Sequence, residues 1–288
     1  MPATTICLTN DAAPVISRNG HDSGAPVFAL AEDGSVTGVQ PVRYRVYERG
    51  GWRDVDAAVI EETTAHIYVN GRELAALVCS PVDLDALALG FARSEELIGG
   101  LDDVLLLNAA PGSTCVDLWL AHDVVLNRRP IRTSGCGGGV TFDDLCRARA
   151  PLPDGPPVPA QEVIARYLEF RANETLYPIA RGVHGSALAT TEQVLLICED
   201  IGRHNTLDKL WGKAMLGGID TAGCLLVTTG RVSMEMLGKA AKMGVSVVAS
   251  RSSPTSRALA LAQAWNMTVI GYVRRDGLRV YTGADRVV

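Results

Sequence analysis

One segment of the sequence surrounds a cysteine with glycine: Thr-Ser-Gly-Cys-Gly-Gly-Gly-Val at residues 133–140, in which Gly135 and Gly137 flank Cys136. Glycine loses more conformational entropy on ordering than other residues, so the cluster indicates backbone freedom or close approach of another molecule. Three arginines lie just upstream, at positions 128, 129 and 132, and nearby positive charge stabilises a thiolate. The segment predicts either a reactive, movable cysteine or an incidental cysteine in an interdomain loop.

A second polar segment, Glu-Asp-Ile-Gly-Arg-His-Asn at residues 199–205, follows a predicted strand. Open α/β sheets bind ligands at this end of their strands. A carboxylate beside a histidine can orient the ring or raise its pKa. Asp200 and His204 are therefore either an acid/base pair or a network that holds the loop. The alternative is a helix start with Asp200 as the N-cap and Arg203 as a solvated surface residue.

Two further segments join predicted strands to predicted helices, one around Thr229, Gly230 and Arg231 and the other around Ser253. The start of a helix offers backbone amides and a positive dipole end, which suit a phosphate. Neither segment has the sequence of a phosphate loop or a dinucleotide-binding turn. On neighbouring parallel strands, the two turns would place two sets of amides at one sheet edge. The alternative for Ser253 is a helix cap followed by Pro254 at the first helical position.

The distribution of charge also points to this end of the chain. The protein has 27 Lys or Arg against 32 Asp or Glu, a net charge of −5, which lacks the global footprint of a duplex nucleic-acid binder. Residues 225–288 nevertheless contain nine Lys or Arg against three Asp or Glu, a net charge of +6. Arginine can make bidentate contacts with phosphate. We therefore expect a local anion site and no nucleic-acid partner.

Composition excludes several other classes of protein. The chain has 288 residues, 47% of them hydrophobic and 20% charged, which is typical of a folded protein with a substantial core. Neither an 18-residue apolar run nor a basic-then-apolar leader is present, so we expect no membrane contact and a cytoplasmic location. The seven cysteines and five histidines are scattered without a C-x-x-C pair, which predicts neither a disulfide framework nor a metal site.

The elements that must position these residues fall into three predicted parts: a leader at 1–40, an α+β domain at 41–150 that ends in the Cys136 loop, and a domain at 160–288. The α+β domain has strands at 42–47, 65–69, 103–108 and 115–120, with a hairpin turn at Asn70-Gly71. A helix starts near Ser80 as N-cap, with Pro81 at its first position. The proline-rich segment 151–159 is the candidate linker.

The last domain alternates strands and helices. Strands are predicted at 194–199, 224–229, 245–250, 267–273 and 278–282, and helices at 203–216, 232–243 and 254–265. This order predicts a mostly parallel sheet covered on both faces, which is a three-layer α/β/α domain. Residues 272–282 resemble a hairpin, so one edge of the sheet should be antiparallel.

Several of these motifs, in this order, resemble the formate dehydrogenase accessory sulfurtransferases, the FdhD family, over about residues 42–286. The resemblance rests on Thr-Ser-Gly-Cys-Gly, residues 182–184, residues 199–205 with Asp208-Lys209, residues 229–231, residues 253–256, residues 271–274 and residues 280–282. It implies a cytidine-deaminase-like fold for the C-terminal domain and a homodimer.

The resemblance also implies an activity. Such proteins accept sulfur from a cysteine desulfurase as a persulfide and deliver it to the molybdenum or tungsten of bis-molybdopterin guanine dinucleotide, before the cofactor enters formate dehydrogenase. Cys136 matches the persulfide position, and guanosine diphosphate (GDP) is the expected mimic of the cofactor. The family's cofactor-binding segment maps next to the basic cluster, onto Tyr272, Val273, Arg274, Arg275, Asp276 and Gly277.

The sequence departs from the family pattern at one position. Many members have C-x-x-C, whereas Gly139 stands at the second position here, which argues against a two-thiol relay and leaves a single-cysteine mechanism intact. The zinc signature of deaminases is absent, because His184 is followed by Gly-Ser and not by a Glu. Two other functions remain open: a cofactor-binding chaperone that transfers no sulfur, and a nucleotide hydrolase that uses Asp200 and His204.

Overall fold

A computed structural model of the chain describes residues 36–124, 131–132, 140–141 and 149–288, with the backbone alone for residues 131, 132, 140 and 141. The structure begins with a long antiparallel hairpin of β1 (Val39–Glu48) and β2 (Gly51–Ile60). The strand predicted at 42–47 is confirmed, although it starts inside the predicted leader. Residues 1–35 of that leader lie outside the described residues.

A four-stranded sheet follows, in the order β4-β3-β6-β5. Its strands are β3 (Thr63–Val69), β4 (Arg72–Cys79), β5 (Val104–Ala109) and β6 (Cys115–Leu120). The turn predicted at Asn70-Gly71 is confirmed, since both residues have positive φ and Val69 pairs with Arg72. Helix α1 (Leu84–Ser94) packs on this sheet through a shared apolar core that includes Leu87 and Phe91.

The predicted start of α1 is wrong. The helix begins at Leu84, after Asp83 adopts a left-handed φ of 54° and caps it without a side-chain hydrogen bond. A left-handed residue cannot continue a helix, so Ser80 and Pro81 lie outside it. Ser80 is fully buried instead.

The C-terminal unit contains a six-stranded sheet, in the order β10-β9-β11-β12-β13-β14. Its strands are β9 (His184–Ala189), β10 (Val194–Asp200), β11 (Leu225–Thr228), β12 (Val247–Ser250), β13 (Thr268–Arg274) and β14 (Gly277–Thr282). Only the β11/β12 and β12/β13 pairs are parallel, so the expected mostly parallel sheet is wrong. The unpredicted strand β9 runs antiparallel to both of its neighbours. The antiparallel β13/β14 edge is confirmed.

Helices cover both faces of this sheet, as predicted. On one face α4 (Arg203–Leu216), α5 (Met234–Lys242) and α6 (Ser256–Ala264) share a core with Leu226 and Val248. On the other face α2 (Ala160–Ala172) packs on Leu225 and Val247. A short helix, α3 (Leu176–Ala180), follows α2. The domain is therefore a three-layer α/β/α unit beside a smaller α+β unit.

Helices α5 and α6 start two residues later than predicted. Their N-caps are Ser233 and Thr255, whose side chains accept hydrogen bonds from the amides of Met236 and Ala258. The alternative in which Ser253 caps α6 is therefore wrong.

The two units meet where α1 crosses α4. A Cβ atom added to Gly90 would lie 1.8 Å from the Asp208 carbonyl oxygen, and one added to Gly212 would lie 2.0 Å from the Ala86 carbonyl oxygen. Only glycine allows two helix backbones to approach this closely. The proline-rich segment also contacts the C-terminal unit, because Leu152 donates to the Trp265 carbonyl.

Within residues 36–124 and 149–288, no helix is long and apolar enough to cross a membrane.

Candidate functional site

The predicted catalytic residue, Cys136, and its neighbours Gly135 and Gly137 lie outside the described residues. The backbone on either side of them is described. Strand β7 (Ile131–Arg132) pairs antiparallel with β8 (Val140–Thr141), with Arg132 opposite Val140. The two ends of the segment that contains Cys136 are therefore next to each other in this strand pair.

The two turns that follow β11 and β12 lie together, as predicted. The Arg251 amide donates to the Thr228 carbonyl at 2.9 Å, and the Val232 amide donates to the Ser253 carbonyl at 3.2 Å. The Ser250 hydroxyl donates to the Gly230 carbonyl at 2.6 Å. These bonds bring the sequence-predicted residues to one sheet edge: Thr229, Gly230, Arg231 and Ser253. Of these, Arg231 is exposed.

Three backbone amides of the turn that follows β11 are already bonded within the protein. Thr229 donates to the Gly185 carbonyl at 3.0 Å, Gly230 donates to the Thr228 hydroxyl at 3.2 Å, and Ser233 donates to the Arg231 carbonyl at 3.1 Å. These three amides are therefore not free to bind a phosphate, while the role predicted for the two turns as a whole stays a prediction. Exposed side chains such as that of Arg231 can add attraction for an anion.

The β13–β14 hairpin adds such side chains beside the two turns. The Tyr272 amide donates to the Ser252 carbonyl at 3.1 Å, and an Arg274 guanidinium nitrogen donates to the Arg251 carbonyl at 2.6 Å. Arg274, Arg275 and Asp276 are exposed, and Gly277 is half-buried.

Two members of the predicted cofactor-binding segment, Tyr272 and Val273, are not exposed. Val273 is fully buried and packs in the core with α2, so its side chain does not face the solvent; its place in the cofactor-binding segment stays a prediction. Tyr272 is half-buried, with the Arg279 guanidinium 4.3 Å from its ring centre. A cation over the ring face fixes the orientation of the ring.

Asp200 does not pair with His204. Its carboxylate lies 2.6 Å from the Lys209 ammonium, and both side chains are fully buried. It also accepts hydrogen bonds from the amides of Ser80 and Gly202, at 3.1 and 2.7 Å, and from the Asn205 side chain at 2.8 Å. Asp200 therefore holds the loop to the N-terminal unit, while Gly202 is the N-cap of α4. The acid/base pair is therefore wrong, and the loop is held by Asp200 with partners other than His204.

His204 faces an acid that the sequence analysis did not consider. Its Nε2 atom lies 2.8 Å from Oε2 of Glu235 on α5, and both side chains are about 10% exposed. Burial lowers the pKa of His204, and the Glu235 carboxylate opposes that effect. The pair joins α4 to α5 beneath the sheet edge.

Arg203 is 5% exposed, so the alternative of a solvated surface residue is wrong. A Cβ atom added to Gly230 would lie 2.9 Å from the Arg203 Cβ. Glycine at position 230 therefore leaves room for the stem of the arginine directly under the turn.

A second basic group lies at the same edge, from elements that the sequence analysis missed. Arg171 lies 4.2 Å from the ring centre of Tyr177, and hydrogen bonds from Arg251 and Arg171 lower the pKa of Tyr177. The Glu199 carboxylate accepts hydrogen bonds from the first amides of α3, including that of Leu176 at 2.9 Å, which fixes α3 to β10.

Three of the four cysteines in the described residues are poor candidates for a thiolate. Burial raises the pKa of Cys79 to about 11 and that of Cys198 to about 12. Burial also raises the pKa of Cys224. A thiol with a raised pKa is a weak nucleophile at neutral pH. In this part of the chain, no group of three or more metal-ligating side chains is close enough to hold a metal ion.

Comparisons with known proteins agree with the resemblance found in the sequence. The model of the FdhD/NarQ family matches residues 60–288. A sulfur carrier protein FdhD of Bacillus subtilis (strain 168) is 34% identical over 250 residues, which cover 84% of this chain and 94% of the relative. A protein of the same name from Geobacillus kaustophilus is 36% identical over 250 residues, with the same coverage.

A solved structure is similar in fold. It is the crystal structure of a formate dehydrogenase accessory protein from Desulfotalea psychrophila, with a TM-score of 0.74 and 25% sequence identity. The similarity covers 87% of this chain and all of the other.

Proposed function

The chain belongs to the FdhD/NarQ family, and from this membership we propose that it is a sulfur carrier for the maturation of formate dehydrogenase, with Cys136 as the residue that carries the sulfur. The observation that carries the proposal is the family match over residues 60–288, which contains the Cys136 motif.

The proposed chemistry needs one thiolate. The Cys136 sulfur attacks the terminal sulfur of a persulfide on a cysteine desulfurase; a new S–S bond forms at Cys136, and the desulfurase cysteine leaves as a thiolate. In the second transfer the S–S bond breaks, its electron pair stays on Cys136 as a thiolate, and the outer sulfur passes on as a neutral atom; the acceptor metal, in its reduced state, supplies the two electrons that make this atom a sulfide ligand. The acceptor is the metal of bis-molybdopterin guanine dinucleotide, which is the substrate of this step. Gly139 supplies no second thiol, so the sulfur stays on one residue between the transfers.

The environment of the other cysteines in the described residues favours Cys136 as the sulfur-carrying residue. Cys79 and Cys198 are buried and have raised pKa values, so neither supplies a thiolate at neutral pH. Cys115 is half-buried on β6. It therefore lies in the N-terminal sheet and not at the edge of the C-terminal sheet that carries Arg231, Arg251, Arg274 and Arg275, which we call the basic edge.

We assign the nucleotide arms of the cofactor to the basic edge. The support is the juxtaposition there of the exposed arginines Arg231, Arg251, Arg274 and Arg275, whose guanidinium groups match phosphate geometry. A homodimer, a cytoplasmic location and a desulfurase partner belong to the same proposal and rest on the family.

Transfer of isotopic sulfur tests the proposal. The protein is incubated with a cysteine desulfurase and [³⁴S]cysteine, and its peptides are analysed by mass spectrometry without reduction. We expect a mass gain of one ³⁴S atom on the Cys136 peptide, its loss in Cys136→Ala, and its retention in the matched control Cys115→Ala. Label that arrives equally on wild type and Cys136→Ala would refute the assignment.

Maturation of formate dehydrogenase separates sulfur transfer from the chaperone alternative. With Cys136→Ala, sulfur transfer predicts a formate dehydrogenase that is made and metal-loaded but inactive. An active enzyme made with this variant would favour a cofactor-binding chaperone. Turnover of guanine nucleotides by the purified protein would favour the hydrolase.

A further inference from the structure

His184 is the first residue of β9 and lies at the basic edge, although the proposed chemistry does not use it. Its Nδ1 atom is 3.4 Å from the Thr229 hydroxyl. That hydroxyl also accepts a hydrogen bond from the Gly185 amide at 3.0 Å. His184 is therefore attached to the first residue of the turn that follows β11, and its ring is half-buried there.

Most of the charged groups that face His184 are cationic. Arg203 and His204 come from the start of α4, and Arg231 comes from the turn after β11. The facing acid is Asp200 of β10, which is already paired with Lys209.

The end of α2 supplies one more acid near His184. Glu174 lies against Gly185, the next residue of β9, and its carboxylate is 2.6 Å from the Arg171 guanidinium. Each of these two acids is thus paired with a cation of its own.

This environment sets the charge of the imidazole. Burial lowers the pKa of His184, and the positive charge of Arg203 lowers it further. The ring is therefore neutral at neutral pH, whereas the arginines around it stay charged at every physiological pH. An anion bound here would cancel part of the repulsion and raise the pKa of the imidazole.

We propose that His184 is a binding residue of this anion site and takes up one proton when the pyrophosphate group of a guanine nucleotide binds beside Thr229 and Arg231. The proposal rests on the proposed function, because it assigns the nucleotide arms to this edge. The step forms one N–H bond on the imidazole with a proton from the buffer, and no electrons are transferred.

Proton uptake gives a signature that a purely structural histidine would lack. Binding linked to uptake of one proton strengthens by up to tenfold for each unit of decrease in pH, between the pKa values of the free and bound states. The phosphates of GDP also titrate near neutral pH, so the diagnostic quantity is the difference between wild type and His184→Gln.

Calorimetry of GDP binding at pH 7.5, in buffers of different ionisation enthalpy, measures this difference. We expect wild type to take up close to one proton more than His184→Gln. The matched control is His66→Gln, at an exposed histidine beside Glu73 of the N-terminal sheet, and it should behave as wild type. If wild type and His184→Gln both bind GDP and take up the same number of protons, the proposed role of His184 is wrong, whereas the nucleotide site itself is not contradicted.

A second measurement uses wild type only and does not depend on the folding of a variant. The ¹⁵N shifts of the His184 ring should change from those of a neutral to those of a charged imidazole when GDP is added. Shifts that stay neutral in the GDP complex would overturn the proposal. If wild type binds no GDP at all, the nucleotide site at this edge is wrong, whereas sulfur loading of Cys136 is judged separately by the isotope experiment.

Discussion

Lys209 and Asp200 form a fully buried ion pair with 2.6 Å between nitrogen and oxygen, and the same lysine donates to the Ser80 carbonyl at 3.2 Å. Removing one member of a buried pair leaves an uncompensated charge, which costs roughly 3–5 kcal/mol. We expect Lys209→Met to lower the free energy of unfolding by that amount in urea titrations.

Lys213, one turn further along α4, provides the control for this prediction. It pairs with Asp83 at 2.7 Å, but both side chains are about 30% exposed. Lys213→Met should cost at most about 1 kcal/mol, because water solvates the remaining carboxylate. Similar losses in both variants would contradict the special role of the buried pair.

The crossing of α1 and α4 predicts that Gly90→Ala and Gly212→Ala are strongly destabilising. Each new Cβ would lie within about 2 Å of a carbonyl oxygen on the other helix, so the helices must separate and open their core. A decrease in melting temperature measures the effect. Gly238→Ala in α5 is the control: its Cβ would meet no atom within 4 Å, and alanine raises helix propensity by up to about 1 kcal/mol.

Alkylation rates should separate the cysteines. At pH 7.5, Cys79 and Cys198 should react with iodoacetamide more than about 100-fold slower than an exposed cysteine, because their raised pKa values leave little thiolate. A time course of peptide mass spectrometry measures the alkylation rate of each cysteine. In the protein unfolded in urea, all the cysteines should react at similar rates. Rapid alkylation of Cys198 in the folded protein would contradict this environment.

GDP should stabilise the protein against heat. A ligand at 100-fold its Kd adds about 2.7 kcal/mol, which corresponds to a rise of about 5 °C in melting temperature. The double variant Arg274→Ala/Arg275→Ala should lose at least half of the shift, since both side chains are exposed at the basic edge. Arg53→Ala, in the β1–β2 hairpin beside Glu48, should retain it. An unchanged shift in the double variant would place the nucleotide elsewhere.

Glu174 should make stability depend on pH. Burial raises the pKa of this carboxyl from 4.5 to about 7, so between these values the folded state binds more protons than the unfolded state. The free energy of unfolding therefore falls as pH rises from 4.5 to 7. Chemical unfolding at several pH values should show a smaller decline in Glu174→Gln than in wild type, and the exposed control Glu192→Gln should follow wild type.

Hydrophobic periodicity predicted the elements of the C-terminal unit well wherever that periodicity was pronounced. The helix predicted at 203–216 matches α4 at both ends. Strand β9 was missed because Gly185, Ser186 and Ala187 have weak strand propensity, and its insertion is what makes the sheet mixed. Helix α2 was missed although the spacing of Val163, Tyr167 and Phe170 is helical.

The site was less predictable because its contacts are long-range. The turns after β11 and β12 were expected to meet, since parallel strands share an edge. The partners of Asp200 and His204 were not predicted. Lys209, Ser80 and Glu235 come close to them through the packing of the folded chain and not through neighbouring sequence. The loss of the amides to internal hydrogen bonds also depends on strand order, since Thr229 donates to β9.

The exposed arginines at the basic edge determine how strongly salt affects the binding of an anion there. Exposed guanidinium groups attract across solvent, and at physiological ionic strength that attraction decays over about 8 Å. Anion binding at this edge should therefore weaken as salt is added, and a ligand held largely by exposed guanidinium groups can be released again, as the proposed function requires.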